Sequence, residues 1–510
     1  MDTNVLYYGN NLEILRKYIP DSSIDLVYLD PPFNSKATYN VLYKEQTGEP
    51  SQAQITAFED TWHWGLESEK ALQEIFASPI ASSAVKDFMS VMPNFLGKKT
   101  DMAAYLVMMC IRLLELKRSL KDTGSIYLHC NPTASHYLKI LMDAIFEPQN
   151  FLNEIVWCFS ERERILKTWN KKHDIILLYA KEQGKHKTFF QRVLDPYSEV
   201  TKGKFKYKDE KGWYQIRGKN IMGSPVRRAD GLRPEHELQY PGLTYRQYLK
   251  EGVPPKDWWV IPIINKASSE RLGYPTQKPL NLLERIVNAS SDEGDIVLDP
   301  FCGCGTTLVA AQKLNRKWIG IDITHLAIGA MKWRLEKKFP NIQYKVIGEP
   351  KDLESAKELA NQNKYQFQWW AVSLVGGQPY GDKKKGADTG IDGYLYFMDE
   401  KDKVRKAIIQ VKAGAASVSQ IRDLVGVIQR EKAEMGLFLC LESATKPMQM
   451  EADSQGFYHS PLGKDYPKIQ IFTIEQLVVE GRKPDIPPWI APVDTPPTAK
   501  KVEGKTIKML

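Results

Sequence analysis

Residues 295–307 have the sequence Asp-Ile-Val-Leu-Asp-Pro-Phe-Cys-Gly-Cys-Gly-Thr-Thr, and the expected fold class depends mainly on them. The apolar run predicts a buried strand ending at Asp299, and the glycines predict a turn in which the backbone approaches a ligand closely. Residues 308–314 then predict a helix, and residues 317–322 a second strand ending at Asp322. A carboxylate about 20 residues after such a turn is typical of α/β folds that bind a nucleoside cofactor, and the glycines alone also fit a dinucleotide.

A second motif, Asp30-Pro31-Pro32-Phe33, follows another apolar run at residues 24–29. Proline fixes φ and forces the preceding residue into an extended conformation, so Asp30 is expected to project beyond its strand. Its carboxylate and the Pro31 carbonyl then offer two acceptors to the hydrogens of an exocyclic base amine, which becomes more nucleophilic as it turns tetrahedral. Phe33 offers an aromatic face to a base rotated out of its helix. Taken alone, this short motif also fits an ordinary turn after a strand.

Together the two motifs resemble the β-class DNA amino-methyltransferases, in which Asp-Pro-Pro-Phe precedes Phe-x-Gly-x-Gly-Thr-Thr. The resemblance covers about residues 1–348. It implies a Rossmann-like methyltransferase fold that transfers a methyl group from S-adenosyl-L-methionine to an exocyclic amine of double-stranded DNA. Adenine N6 is the expected target, because N4-cytosine enzymes of this class more often have serine at the position of Asp30. N4 of cytosine remains the alternative.

The resemblance also implies the residues of the site. Asp30, Pro31, Pro32 and Phe33 are expected to act on the base, and Trp157 either lines the base pocket or belongs to the core. Asn10 stands where the family commonly has aspartate, so its contact with the cofactor adenine is expected to be neutral. The residues expected to bind S-adenosyl-L-methionine are Asn10, Thr276, Lys278, Asp299, Phe301, Gly303, Gly305, Thr306 and Asp322.

Residues 185–265 lie between the two motifs, where the family has its target-recognition region. Basic and aromatic side chains alternate here, a composition that suits contacts with phosphates and bases. They are Lys202, Lys204, Lys206, Lys208, Lys211, Arg217, Lys219, Arg227, Arg228 and Arg233, with Phe205, Tyr207, Trp213 and Tyr214. A solvated surface rich in β-structure is the alternative. The sequence does not reveal which bases are recognised.

The chain turns polar after residue 348, which predicts a linker at 349–364 and a smaller α/β domain at 365–480. Asp392, Gln410 and Lys412 lie at the ends of two predicted strands there, and their pattern resembles the Mrr-like branch of the PD-(D/E)xK nucleases. The resemblance implies a Mg²⁺ site with Asp392 and Gln410 as ligands. Gln368 stands where that family commonly has glutamate, so an active nuclease and a degenerate DNA-binding fold both remain open. Residues 481–510 are expected to form a flexible proline- and lysine-rich tail.

Composition agrees with a nucleic-acid enzyme. The 510 residues allow two or three domains, and the formal charge of +8 with a pI of about 8.8 suits a polyanionic partner. Six dispersed cysteines do not suggest a disulfide framework. The absence of a long apolar run and of a signal-peptide pattern predicts a cytoplasmic protein without a membrane partner. Homodimerisation stays open, and residues 36–100 are expected to form a mainly helical insertion.

Three other functions remain compatible with the sequence. The chain fits a bifunctional restriction-modification enzyme that cleaves DNA with its carboxy-terminal domain and Mg²⁺. It also fits a non-catalytic DNA-binding regulator that has kept the fold. An RNA substrate is a further alternative, and salt-dependent preference for duplex DNA over RNA would argue against it.

Overall fold

The structure is a computed structural model that describes residues 1–32, 38–44, 50–59, 64–97, 100–159, 169–219, 224–225, 232–265, 268, 270–272, 274, 276–380, 390–400, 403–487 and 489–490. Phe33, Arg227 and Arg228 therefore lie outside the described residues. Within these ranges, no helix combines the length and the apolar character needed to cross a membrane.

The amino-terminal unit alternates strands and helices. Its strands are β1 (Val5–Tyr8), β2 (Ile24–Leu29), β3 (Thr38–Lys44), β4 (Pro50–Glu59), β5 (Leu120–Cys130), β6 (Phe151–Cys158), β7 (His173–Ala180), β8 (Tyr207–Asp209), β9 (Gly212–Gly218), β10 (Thr244–Tyr248), β11 (Trp258–Val260), β12 (Ile296–Asp299), β13 (Lys317–Asp322) and β14 (Lys345–Ile347). Its helices are α1 (Asn11–Tyr18), α2 (Leu66–Ala77), α3 (Ser83–Phe95), α4 (Asp101–Ser119), α5 (Pro132–Phe146), α6 (Glu199–Lys202), α7 (Pro234–Gln239), α8 (Leu280–Ser290), α9 (Thr306–Lys313) and α10 (His325–Lys338).

Nine of these strands form one sheet in the order β11-β6-β7-β5-β2-β12-β13-β1-β14. Within this sheet every strand runs parallel to its neighbours except β7, which is antiparallel to both β5 and β6. Strand β12 lies between β2 and β13, with Val297 opposite Leu26 and Leu298 opposite Ile319. The carboxyl ends of the two motif-bearing strands therefore meet at one edge of the sheet.

Helices cover both faces of the sheet, so its central strands β2 and β12 are buried and mostly apolar, without regular polar alternation. On one face, helices α1, α4 and α5 contribute buried residues such as Leu15, Leu113 and Leu138. On the other face, α8, α9 and α10 contribute buried residues such as Leu283 and Leu308. This doubly wound arrangement confirms the predicted Rossmann-like α/β fold.

The carboxy-terminal unit is a second, smaller α/β structure. Its elements are α11 (Leu353–Gln362), α12 (Lys364–Leu374), β15 (Gln378–Pro379), β16 (Gly393–Glu400), β17 (Lys403–Lys412), α13 (Val418–Glu431), β18 (Met435–Cys440), α14 (Lys446–Asp453), β19 (Phe457–His459), β20 (Asp465–Pro467), β21 (Ile469–Thr473), α15 (Ile474–Val478) and β22 (Trp489–Ile490). The main sheet has the order β15-β16-β17-β18-β21. Helix α12 packs on one face through Phe367 and Trp370, and α13 packs on the other through Leu424.

The structure differs from the predicted boundaries at two places. The segment predicted as a linker contains α11, whose Ala356, Leu359 and Ala360 lie in the core of the carboxy-terminal unit. Helical spacing of these apolar residues within a charged segment explains the packing. The predicted flexible tail includes β22, whose backbone pairs with Phe397 and Met398 of β16. Residues 491–510 lie outside the described residues.

The two inserted regions contain both helices and strands. Residues 36–100 contain α2 and α3 as expected, together with the β3–β4 hairpin, which the sequence analysis did not predict. The predicted recognition region, residues 185–265, contains a three-stranded antiparallel sheet in the order β10-β9-β8.

Candidate active site

A cavity of about 430 Å³ opens at the sheet edge where β2, β12 and β13 end. Both sequence motifs contribute to its wall. The predicted site residues that line it are Asn10, Asp30, Pro31, Pro32, Thr276, Lys278, Asp299, Phe301, Gly303, Thr306 and Asp322. The structure thus brings together two groups of residues that lie far apart in the chain.

Asp30 follows the last residue of β2 and faces the cavity. The ammonium of Lys278 lies 2.5 Å from Asp30 Oδ2, and both side chains are largely buried. The other carboxylate oxygen, Oδ1, is buried and accepts no hydrogen bond from the described residues. A buried acceptor without a donor is costly, which makes this atom a natural partner for a ligand N–H group.

The glycine turn after β12 has the left-handed geometry that only glycine adopts without strain. Gly303 has φ +50° and Gly305 has φ +74°. The Gly305 N–H donates to the Cys302 carbonyl at 2.7 Å, and Gly305 then caps the start of α9. A Cβ atom on Gly305 would lie 2.7 Å from Met331 Cγ, so Gly305 itself supports the turn from behind the cavity wall.

Asp322, at the end of β13, holds the two sides of the cavity together. Its Oδ2 accepts the Gly303 N–H at 3.0 Å, while its Oδ1 accepts the Thr324 N–H at 2.9 Å and the Thr324 hydroxyl at 3.0 Å. Because Gly303, Asp322 and Thr324 all line the cavity, these bonds fix the position of a carboxylate that can also accept from a sugar hydroxyl.

Two aspartates in the wall resist ionisation. Burial raises the pKa of Asp299 to about 7, although Thr307 and the Phe301 N–H, the latter at 3.1 Å, bond to this carboxyl group. Burial also raises the pKa of Asp322 to about 6. The negative charge of the cavity therefore changes across the physiological pH range.

Sequence analysis missed a buried arginine in the wall. Arg112 of α4 donates through Nε to Asn11 Oδ1 at 2.7 Å and lies 3.5 Å from Asn10 Oδ1. Asn11 in turn donates to the Pro300 carbonyl at 2.9 Å, which ties α1 to the glycine turn. The sequence signal for it was a single arginine within the apolar helix sequence of residues 103–114. Because an arginine without a partner is rarely buried, such a residue indicates a specific polar contact.

Two other predicted site residues, Trp157 and Thr276, differ in their positions relative to the cavity. Trp157 is 2% exposed and lies in the core, where its indole N–H donates to the Ile261 carbonyl at 2.8 Å. Trp157 is not among the residues that line the cavity, and its role in a base pocket stays a prediction. Thr276, beside Lys278, has φ +61°, an unusual value for a β-branched residue.

The thiols of Cys302 and Cys304 are buried in the glycine turn. Burial raises the pKa of both thiols, which keeps them protonated. The Cys302 thiol donates to the Ile321 carbonyl at 3.1 Å.

The predicted nuclease residues do lie together in the carboxy-terminal unit. Gly393 pairs with Ile409 across the β16–β17 ladder, and the preceding Asp392 donates its N–H to the Ile409 carbonyl at 2.9 Å. Asp392 therefore lies opposite Gln410. Asp392 Oδ2 accepts the Val411 N–H at 2.8 Å, and Gln410 Oε1 is buried and accepts no hydrogen bond from the part of the chain that the structure describes. Lys412 follows on the same strand face as Gln410.

These donors do not fit the expected Mg²⁺ site for cleavage. Asp392 is the one carboxylate that they contain, and one of its oxygens already binds the backbone of β17. Within the described ranges, no group of three or more His, Cys, Asp or Glu residues is arranged to hold a metal ion. Gln368 supplies no negative charge, so the described residues of this cluster offer a divalent cation the single carboxylate of Asp392.

The basic region divides into core and surface residues. Phe205 and Tyr214 are buried, and their rings pack against Tyr197 and Tyr248 respectively. Trp213 is 47% exposed, and the ammonium of Lys208 lies 5.8 Å from its ring centroid. The neighbouring exposed lysines are Lys202, Lys204, Lys206, Lys208 and Lys211. This surface retains the charge and one aromatic face suited to a nucleic acid.

Comparison with known families divides the chain at the same place as the fold. The family model described as DNA methylase, for N6 and N4 enzymes, matches residues 24–331. A second family model, described as NACHT-associated inactive Restriction Endonuclease 1, matches residues 365–479. The second match agrees with the nuclease-like fold of the carboxy-terminal unit.

Among curated proteins, the type II methyltransferase M.EcaI of Enterobacter cloacae is 32% identical over 252 residues, or 43% of this chain and 55% of that protein. The type II methyltransferase M.BglII of Bacillus subtilis is 25% identical over 370 residues, or 71% of this chain and 74% of that protein. The Mod subunit of the type III restriction-modification enzyme StyLTI of Salmonella typhimurium is 24% identical over 62% of this chain and 50% of that protein. The chain spans about half the length of M.EcaI and of the StyLTI Mod subunit.

Among solved structures, the PvuII DNA methyltransferase (cytosine-N4-specific) aligns with 67% of this chain and 88% of its own, at 13% identity and a TM-score of 0.36. The M1.HpyAVI–SAM complex aligns with 65% of this chain and all of its own, at 17% identity and a TM-score of 0.32.

Proposed function

Because the chain belongs to the family of N6 and N4 DNA methylases, we propose that it transfers a methyl group from S-adenosyl-L-methionine to an exocyclic amine of double-stranded DNA. We propose adenine N6 as the target atom. One observation carries the proposal: Asp30 presents to the cavity formed by the glycine turn a buried oxygen that accepts no hydrogen bond from the described residues. That oxygen is an acceptor for an amine that enters the cavity.

The residues of the Asp-Pro-Pro motif would activate the amine. Asp30 Oδ1 and the Pro31 carbonyl accept the two amine hydrogens, which draws the nitrogen toward a tetrahedral geometry and frees its lone pair. Lys278 holds Asp30 Oδ2, so the carboxylate cannot rotate away from the substrate. We propose that Phe33, which lies outside the described residues, stacks on the extruded base. These roles are positional and electrostatic, and none requires a covalent intermediate.

The rest of the wall fits a nucleoside cofactor. We propose that Asp322 accepts the ribose hydroxyls, that Gly303 and Phe301 allow the cofactor to approach the turn, and that Asn10 contacts the adenine. When bound, S-adenosyl-L-methionine supplies the electrophilic methyl group. Asp299, Thr276 and Thr306 complete the cavity and support the turn. The cavity volume and the fixed carboxylate of Asp322 support this assignment.

We propose that residues 185–265 contact the DNA target through the exposed lysines and Trp213.

Relatives of the chain carry names from type II and type III restriction-modification systems, and we propose the same setting for this protein. For the carboxy-terminal unit we propose a degenerate nuclease fold that binds DNA without cleaving it, because Asp392 is the one carboxylate among the described residues of its polar cluster. A magnesium-dependent cut in unmethylated DNA that requires Lys412 would overturn this last point.

Product analysis tests the proposed reaction directly. The full chain is incubated with methyl-labelled S-adenosyl-L-methionine and mixed-sequence duplex DNA or duplex RNA, and the nucleic acid is digested to nucleosides. We expect label in N6-methyldeoxyadenosine. Label in N4-methyldeoxycytidine would retain the reaction and overturn the proposed base. Label in RNA alone, or no label while the cofactor binds, would overturn the proposed substrate or the proposed activity.

Cofactor affinity is expected to fall as the pH falls from 8 to 5.5. Asp299 has a pKa of about 7 and Asp322 a pKa of about 6 in the cavity, so both are mostly protonated at the lower end. A cationic cofactor and its ribose hydroxyls favour ionised carboxylates, so the dissociation constant should rise by about tenfold. Isothermal titration at four pH values checks this. A flat profile would show that neither group senses the cofactor.

Replacing Lys278 with methionine is expected to affect both stability and activity. The change leaves Asp30 without its cation in a largely buried position, which should cost about 2 kcal/mol of unfolding free energy after allowance for partial exposure. Loss of orientation should also slow methyl transfer by about tenfold. Chemical denaturation and initial rates measure the two effects.

A second ion pair supplies the matched control. Lys121 Nζ lies 2.8 Å from Asp25 Oδ1, and the Asp25 side chain is 6% exposed, against 15% for Asp30, but does not line the cavity. Lys121→Met is expected to lower stability while leaving the rate per folded molecule unchanged. If both variants lose the same fraction of the rate, Lys278 contributes to the stability of the fold and does not orient Asp30 for methyl transfer.

A further inference from the structure

Helix α10 begins three residues after Asp322, and its first turn is in contact with the carboxy-terminal unit. Ile323 and Thr324, which connect Asp322 to α10, line the cavity. The first N–H groups of a helix have no partner within the helix and need acceptors from elsewhere. In α10, the Thr324 hydroxyl accepts the Ala327 N–H at 3.2 Å.

The His325 N–H of the same turn finds its acceptor in the other unit. It donates to Oε1 of Gln366, on α12, at 3.2 Å. Gln366 therefore acts as a cap on α10, although it lies 41 positions further along the chain. The cap fixes the amide that follows Thr324, and Thr324 donates twice to the carboxylate of Asp322.

The ring of His325 strengthens this junction. It is 2% exposed and stacks on Tyr8 with the ring centroids 3.7 Å apart. The ring centroid of Trp370, on α12, lies 6.5 Å from that of His325. Tyr8 ends β1 and directly precedes Gly9 and Asn10, which line the cavity. The carboxy-terminal unit thus supports two separate segments of the cavity wall.

We propose that Gln366 is a positioning residue of the cofactor cavity and that the nuclease-like unit is therefore a structural part of the methyltransferase site. The inference rests on the proposed function for the identity of the ligand. It assigns the carboxy-terminal unit a role that requires no cleavage of DNA. Removing the cap frees the first turn of α10, and with it Thr324 and the Asp322 carboxylate, to move away from the ribose position.

The test compares three variants of the full chain. Gln366→Ala removes the acceptor, while Gln366→Glu keeps an oxygen at the amino terminus of α10, where a negative charge is favourable. Gln368→Ala is the matched control, because the Gln368 side chain lies on the same helix and makes no hydrogen bond among the described residues. Binding of S-adenosyl-L-methionine is measured by titration calorimetry, and the exchange of the His325 amide by hydrogen–deuterium exchange.

Loss of one hydrogen bond predicts an affinity about three- to tenfold lower in Gln366→Ala, with faster exchange at His325 and an unchanged kcat at saturating cofactor. Gln366→Glu and Gln368→Ala should stay close to the wild type. Wild-type affinity in Gln366→Ala, or equal loss in Gln366→Glu, would overturn the inference alone. A wild-type protein that does not bind S-adenosyl-L-methionine would overturn the proposed function as well.

Discussion

Asp30→Ala is expected to lower the rate of methyl transfer to DNA by about 10³-fold while the affinity for S-adenosyl-L-methionine stays close to that of the wild type. The variant removes the acceptor that draws the amine hydrogens away from the ring. It leaves the glycine turn and Asp322 in place, so the cofactor retains its contacts. Single-turnover rates and titration calorimetry separate the two quantities.

A second carboxylate at the rim of the same cavity provides the control. Glu67 lines the cavity, but its side chain is 81% exposed and pairs loosely with Lys70 at 3.6 Å. Glu67→Ala should therefore transfer methyl groups at nearly the wild-type rate. Asp30→Asn separates charge from shape, because it keeps one acceptor oxygen but removes the partner of Lys278. Wild-type activity in Asp30→Ala would overturn the proposed mechanism.

The second large effect is expected for Gly305→Val, which should weaken cofactor binding by about 100-fold. Gly305 has φ +74°, and the left-handed region costs a side chain about 1–2 kcal/mol, more when the residue is β-branched. The new Cβ would also lie 2.7 Å from Met331 Cγ. The turn must then change its path between Cys302 and Thr306, which moves Gly303 and the cavity wall with it.

Gly329→Ala is the matched control for that substitution. Gly329 lies within α10, and a Cβ atom there meets no neighbour within 4 Å. Alanine is favoured over glycine in a helix by about 1 kcal/mol, so stability should rise slightly and cofactor binding should stay unchanged. Cofactor binding by Gly305→Val at the wild-type level would show that the turn does not shape the site.

Local sequence signals predicted the α/β fold and the strand ends correctly. The turn after β12 needs glycine at positive φ, and β2 and β12 are apolar runs because both faces of the sheet are covered. Each signal lies within a few residues of the structure that it specifies. The same is true of Asp322, which ends its own strand. The roles proposed for these residues stay predictions.

Contacts between distant segments were not predictable in this way. Lys278 and Asp30 are separated by 248 positions, and nothing in either motif indicates that the two side chains meet. Arg112 is recognisable only as a charge within an apolar helix, and its partner Asn11 lies 101 positions away. Helix α11 was mistaken for a linker because its three buried residues are small or isolated among charges. Such contacts depend on the packing of whole elements.

The central position of β12 also has a consequence for synthesis of the chain. The Ile296 N–H donates to Asp25 Oδ2, and the two residues are 271 positions apart in the chain. One edge of β2 therefore has no partner strand until β12 has been synthesised. At translation rates of about 5–20 residues per second, that edge stays open on the ribosome for roughly 15–50 s. An unpaired apolar strand invites association with other chains. The nascent protein should therefore depend on chaperones, and a pause in translation before residue 296 should increase aggregation.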